Sequence, residues 1–247
     1  MSATNFATHI LDDYDAMSRR ASEILASIIK SKPEGVLGLA TGWTPVGLYR
    51  ELIRMYNNGS LDFSRLTTFN LDEYYPIKRT NPQSYYKFMQ DHLFKYVNIQ
   101  PERINIPNGE TRDPAGECAA YEKKIQQAGG MDLLLLGIGV NGHIGFNEPS
   151  DCFPKGTHLV ALSETTIESN SRFFQCNSDV PRKAISMGIR TIMFARKILI
   201  IMSGEKKAEA VSAMLNGPIT SAVPASVLQL HRDVTVVMDK AAASKIA

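Results

Sequence analysis

From Asp12 to Lys30 apolar side chains recur every three or four positions, at Met17, Ala21, Ile24, Leu25, Ile28 and Ile29. That spacing is the stripe of an amphipathic helix, which Pro33 closes. The run "GVLGLATG" then reads as a short strand ending in Thr41 and Gly42. It is followed by "TPVGLYRELIRMY", where Thr44 can cap a helix and Pro45 can take its first position. The same grammar repeats. "LTTFNLDEYY" predicts a strand running into an acidic loop, and "PAGECAAYEKKIQQAG" a helix. "MDLLLLGIG" is a strand, "KILIIMSGEKKAEAVSAML" a strand and then a helix, and "DVTVVMD" a last strand.

Strands this uniformly apolar are buried on both faces by helices. The pattern therefore predicts a single α/β domain: a doubly wound, mainly parallel, Rossmann-like sheet with helices on both faces. In such sheets ligands bind beyond the C-terminal ends of the strands, and every unusual loop of this chain falls at such an end. The segment 149–172 is the least regular and is expected to serve as a lid.

A length of 247 residues suits one large domain, and 44% apolar with 21% charged residues excludes disordered and fibrous classes. The net charge of +2 is too small to make nucleic acid the expected partner. Cys118, Cys152 and Cys176 are odd in number and widely spaced, which suggests reduced thiols rather than a disulfide framework or a metal site. No apolar run reaches the ~18 residues of a membrane span, and "MSATNFATHILDDYD" lacks the pattern of a secretory signal. Membrane partners are not expected, and the expected location is the cytoplasm.

The stretch "GIGVNGHIGFNEP", residues 137–149, directly follows an apolar strand. Gly137, Gly139 and Gly142 spell a formal G-x-G-x-x-G, with Glu164 about twenty residues on, so a dinucleotide turn has to be weighed. That motif needs a helix opening at its third glycine, and Gly145, Asn147, Pro149 and Pro154 oppose one. The other reading is a sharply turning backbone that points His143 and Glu148 into one space, an imidazole with a carboxylate to orient it. A histidine that merely braces a tight loop is the bland alternative.

In "FNLDEYYP", Asp72 or Glu73 at a strand end could abstract a proton from carbon next to a carbonyl, or could simply cap the next helix; local sequence leaves both open. "ATGWTP" offers backbone N–H groups, two threonine hydroxyls and a helix start to an anion. "GEKKAEA" adds Lys206 and Lys207, and Arg172 in "SNSRFF" could clamp an anion in bidentate fashion. Together these suggest a phosphorylated small molecule.

Through "LGLATGWTP", "FNLDEYY", "NPQSYY", "GIGVNGHIGFNEP", "SNSRFF", "SGEKKA" and "GPITSAVPAS" the chain resembles the glucosamine-6-phosphate deaminases, also called isomerases, over nearly its whole length. "GHIGFNEP" separates it from the related 6-phosphogluconolactonases, which continue differently after Gly-His. The resemblance implies conversion of D-glucosamine 6-phosphate and water to D-fructose 6-phosphate and ammonia, with no cofactor and no metal. It implies that His143 opens the sugar ring with Asn141 and Glu148 coupled to it, and that Asp72 moves the C2 proton to C1. It also implies that Thr41, Gly42, Thr44, Arg172 and Lys207 hold the phosphate, Lys207 rather than Lys206 because it precedes Ala208.

Some members carry Asp at position 141 and others Asn. The tail "DKAAASKIA" is shorter than in members resembling the hexameric, N-acetylglucosamine-6-phosphate-activated enzymes, so a monomer without that activation is expected. The alternatives are a lactonase of the same fold, a sugar-phosphate-sensing module and, third, an oxidoreductase.

Overall fold

The computed structural model describes residues 6–171 and 180–246. Its main sheet has seven strands: β1 (Phe6–Leu11), β2 (Val36–Leu39), β3 (Thr67–Asn70), β5 (Ile104–Asn105), β6 (Leu133–Leu136), β9 (Ile198–Met202) and β10 (Val234–Asp239). They run in the order β1-β10-β9-β6-β2-β3-β5, and every pairing is parallel. All positions of β2, β6 and β9 are buried, as continuous apolar runs require of strands covered on both faces.

Among the described residues seven α-helices accompany the sheet: α1 (Tyr14–Ser31), α2 (Val46–Asn57), α3 (Tyr85–His92), α4 (Pro114–Gln127), α5 (Glu164–Ser171), α6 (Ile189–Met193) and α7 (Ala208–Asn216). Asp13 caps α1 by accepting from the Ala16 N–H, and Asp113 caps α4, with Pro114 at its first position. The chain winds outward from β2 through β3 to β5, returns to β6 beside β2, and winds outward the other way. The topological switch point therefore lies between β2 and β6, where such sheets bind ligands.

The doubly wound, mainly parallel architecture is the one expected, with three local differences. β1 precedes the first helix and was not foreseen. The acidic pair after β3 lies in a strand, β4 (Asp72–Tyr75), rather than a loop. β4 joins β7 (His158–Ala161) and β8 (Lys183–Ser186) in a small antiparallel sheet, order β4-β8-β7. The chain makes that transfer at Leu71, whose N–H still donates to Leu39 in the main sheet while its carbonyl already accepts from Met187. Last, Thr44 does not cap α2. The hydroxyl of Tyr14, from α1, takes that duty: it accepts from the Gly47 N–H at 2.7 Å and donates to the Trp43 carbonyl.

A satellite core of Tyr74, Ile77, Phe146, Leu162, Ile167, Val180 and Ala184 packs beside the small sheet, apart from the main core.

Candidate active site

Parallel strands put their C-terminal tips on one edge, and the order β9-β6-β2-β3 sets four of those tips side by side. At ~4.8 Å between neighbours the four tips span roughly 15 Å. The loop after β9 carries Lys207, that after β6 carries Asn141, His143 and Glu148, that after β2 carries Thr41, Gly42 and Thr44, and β3 runs on to Asp72.

The loop after β6 is not helical from Gly137 to Phe153, so the glycine pattern is not a dinucleotide turn. Its hydrogen bonds serve the histidine. The N–H of Gly139 donates to the His143 carbonyl at 2.8 Å, and an added Cβ on Gly139 would sit 2.2–2.4 Å from the imidazole ring atoms. Glycine at 139 is what lets the ring lie there.

Asn141 Nδ2 donates to Glu148 Oε2 at 2.8 Å, and Asn141 Oδ1 is 2.7 Å from Nδ1 of His143. Because the ionised carboxylate can only accept, the amide must turn its NH2 to Glu148 and its oxygen to the ring. Nδ1 therefore carries the proton, and Nε2 is the ring nitrogen able to take one. Nδ1 also lies 3.5 Å from Glu148 Oε2. Burial alone would raise the Glu148 carboxyl. The bond and charge of His143, with bonds from Thr166 and Asn141, outweigh it and hold the group down at about 2.

Asp72 and Glu73, adjacent and both buried, have separated duties. Glu73 accepts three backbone N–H groups, from Tyr74 at 2.9 Å and from Tyr85 and Tyr86 in the first turn of α3 at 2.8 and 2.9 Å. The helix-binding reading left open by the sequence thus applies to Glu73, while the side chain of Ser84 fills the N-cap position proper. Burial pushes Glu73 up to about 7 against the pull of those N–H groups and of Arg79. Asp72 is pushed up to about 8, by burial first and then by the charge of Glu73.

The two strand tips meet. Asp72 is the register partner of Ser186, and the Ser186 hydroxyl accepts from the Phe146 N–H at 3.0 Å. Gly145, at φ +57°, approaches so closely that an added Cβ would lie 3.0 Å from Ser186 Oγ and 3.5 Å from Asp72 Oδ2. The ring of Phe146 stands 5.8 Å from that of Tyr74, two residues beyond Asp72. The imidazole loop and the buried acid therefore pack against each other through Gly145 and Ser186.

Of the expected anion-binding residues, Thr41 and Thr44 are half-buried, and Gly42, at φ +94°, faces open space. Lys207 is half-buried at the start of α7 while Lys206 is exposed. Asp239 at the tip of β10 fixes this loop by accepting from the Ser203 hydroxyl and the Gly204 N–H. Arg172 lies outside the described residues. Among the described residues no three of His, Cys, Asp and Glu gather as metal ligands. Sequence reasoning missed Thr166, Ser186 and Asp239 because their partners are distant in the chain, so no local pattern announces them.

The switch point of this doubly wound sheet sets a carboxylate-oriented imidazole loop beside a buried acid, groups whose chemistry suits an acid–base enzyme. The chain belongs to the glucosamine-6-phosphate isomerases/6-phosphogluconolactonase family, which it matches over residues 12–237. It is 57% identical over 237 residues to a glucosamine-6-phosphate deaminase of Clostridium botulinum (strain Kyoto / Type A2), covering 96% of this chain and 97% of the relative. It is 54% identical over 236 residues to one of Alkaliphilus oremlandii (strain OhILAs), covering 96% and 98%.

Among solved structures, a monomeric glucosamine-6-phosphate deaminase superposes with a TM-score of 0.95 at 46% identity, over 97% of this chain and all of that one. The 6-phosphogluconolactonase of Trypanosoma brucei shares the fold, with a TM-score of 0.78 at 19% identity over 99% of this chain and all of that one.

Proposed function

We propose that this chain deaminates D-glucosamine 6-phosphate, with water, to D-fructose 6-phosphate and ammonia. The observation that carries the reading is the meeting of the His143 loop and Asp72 at Gly145 and Ser186. Thr41, Gly42, Thr44, Lys207 and Arg172 hold the phosphate, and residues 149–172 cover the bound sugar.

Nε2 of His143 takes the proton of the C1 hydroxyl and returns one to the ring oxygen, which breaks the C1–O bond and leaves an open-chain aldehyde. Asp72, ionised, removes the proton from C2, which lies between the aldehyde and the amine. It delivers that proton to C1 while a proton passes from the substrate nitrogen to the C1 oxygen, so that the aldehyde becomes a hydroxyl and the nitrogen lone pair closes the C2 imine. Water adds to the imine and ammonia departs, leaving the ketose. A carboxyl pushed up to about 8 is a strong base once ionised, and the cationic amino group of the substrate beside it favours that ionised form.

The chain acts as a monomer in the cytoplasm. The shared name of relatives more than half identical supports the reaction, and the monomeric solved relative supports the assembly. Among the described residues no helix is long and apolar enough to cross a membrane.

The test is ammonia release from glucosamine 6-phosphate by the purified chain, with light scattering for its mass. No ammonia, with hydrolysis of 6-phosphogluconolactone instead, overturns the reading in favour of the lactonase branch of the fold.

A further inference from the structure

The carboxylate of Glu148 has two oxygens, and the ring-opening chemistry accounts for one of them. Oε2 takes the Asn141 amide; Oε1 takes the hydroxyl of Thr166, eighteen residues on, in α5. The Thr166 hydroxyl is itself held. Ser163 Oγ donates to Thr166 Oγ1 at 3.0 Å and accepts from the Thr166 N–H at 3.2 Å.

The donors all point one way, from Ser163 to Thr166 to Glu148. From the other side His143 Nδ1 donates to Asn141, and Asn141 donates to Glu148. A serine bonded to the N–H three residues on would be an ordinary helix cap; the onward bond to Glu148 goes beyond capping. α5 is seated independently of that bond, since Leu162 and Ile167, on either side of the pair, are buried in the satellite core with Phe146 of the imidazole loop.

A half-buried carboxylate deprived of one donor turns to find another. The orientation of the Asn141 amide, and with it the proton on Nδ1, follows Glu148. We infer that Thr166 is a positioning residue for ring opening: its hydroxyl, fixed by Ser163, holds the Glu148 carboxylate in the orientation that keeps His143 Nε2 ready to accept a proton. The inference rests on the deaminase reading for its kinetics, though not for its hydrogen bonds.

The variant Thr166→Val keeps the shape and branching of the side chain and removes the hydroxyl; Thr166→Ser keeps the hydroxyl. The full-length chain and both variants are compared for ammonia release across substrate concentration, and for the protonation of the His143 ring nitrogens by ¹⁵N NMR without substrate. Loss of a hydrogen bond to a charged acceptor predicts a fall in kcat of about 10- to 100-fold for Thr166→Val, with KM within about twofold. Thr166→Ser recovers most of the rate. The ring of Thr166→Val is expected to lose the single Nδ1–H form in favour of a mixture.

A Thr166→Val enzyme within twofold of the parent, a loss confined to KM, or a Thr166→Ser enzyme as slow as Thr166→Val overturns the inference. Should circular dichroism find Thr166→Val unfolded, Ser163→Ala decides in its place: a fall in kcat at constant KM supports the inference, and the parental rate defeats it. Absence of ammonia release by the parent chain strikes the deaminase reading alone, and the ring-nitrogen comparison then tests Thr166.

Discussion

Asn141 turns its amide oxygen to His143 Nδ1 at 2.7 Å and its amide nitrogen to Glu148. A neutral group thus stands between an imidazole and a carboxylate, passing orientation without adding charge. Asn141→Asp places a second carboxylate within hydrogen-bond distance of Glu148. The two share one proton in acid and repel in neutral solution, and the extra charge favours the imidazolium form of His143. The acidic limb of the kcat profile is expected to move to higher pH, with a fall of about 10-fold or more at pH 6. A pH–rate profile checks this, and an unmoved limb contradicts it.

Asp72 must be ionised to abstract a proton, so kcat/KM is expected to rise with pH through a limb near pH 8. Glu73→Gln removes the neighbouring charge that helps raise Asp72, and the limb then moves to lower pH. Asp72→Asn costs about 10² to 10⁴ in rate.

The same buried acid sets a stability trend. Its folded pKa lies above its unfolded value, so the stability it contributes is present below the unfolded pKa and is lost as pH rises through the folded one. Asp72→Asn is therefore expected to melt above the parent, by a margin that widens from about pH 4 to about pH 8 and then levels off. Thermal unfolding across that range measures it. A constant margin would mean that Asp72 is not buried as described.

Gly139→Ala leaves the fold intact and drives a methyl group against the imidazole, 2.2–2.4 Å from its atoms, so the ring must move. Misplacing the group that exchanges the proton is expected to lower kcat by about 10²-fold while the melting temperature changes little. Steady-state kinetics with a melting curve distinguishes this from general damage.

At the start of α7, Lys207→Ala is expected to raise KM for the sugar phosphate about 10-fold or more, while exposed Lys206→Ala stays near the parent. Inorganic phosphate as a competitive inhibitor provides the control. Its inhibition constant should weaken with Lys207→Ala and not with Lys206→Ala. Equal effects of the two substitutions would remove Lys207 from the phosphate site.

Runs such as "LLLL" and "ILIIM" announced the central strands because burial on both faces leaves no polar position to confuse the pattern. That His143 and Glu148 share one turning loop was legible because the glycines after β6 oppose a helix there. β1 was not legible: none of its six residues is buried and their exposure follows no strict alternation, since it sits on the outer edge of the sheet. β4 owes its strand character to pairing with β8, more than a hundred residues later, so "DEYY" alone reads as a turn. The α2 start was misassigned to Thr44 for a similar reason, as the capping hydroxyl arrives from Tyr14 in another helix. Thr166 lies in the stretch with the weakest periodicity, and its bond to Glu148 follows no sequence spacing.

β1 pairs with β10 along its whole length, Phe6 beside Val234 and Leu11 beside Asp239. The earliest described strand to leave the ribosome must therefore wait for the latest one before its ladder can form. That makes it a strongly non-local pairing, whose loop-closure cost is met by an edge strand with no buried residue. Detachment of β1 is accordingly expected to be an early event in unfolding, readable as fast amide exchange at Ala7 to Ile10 in an enzyme that still turns over.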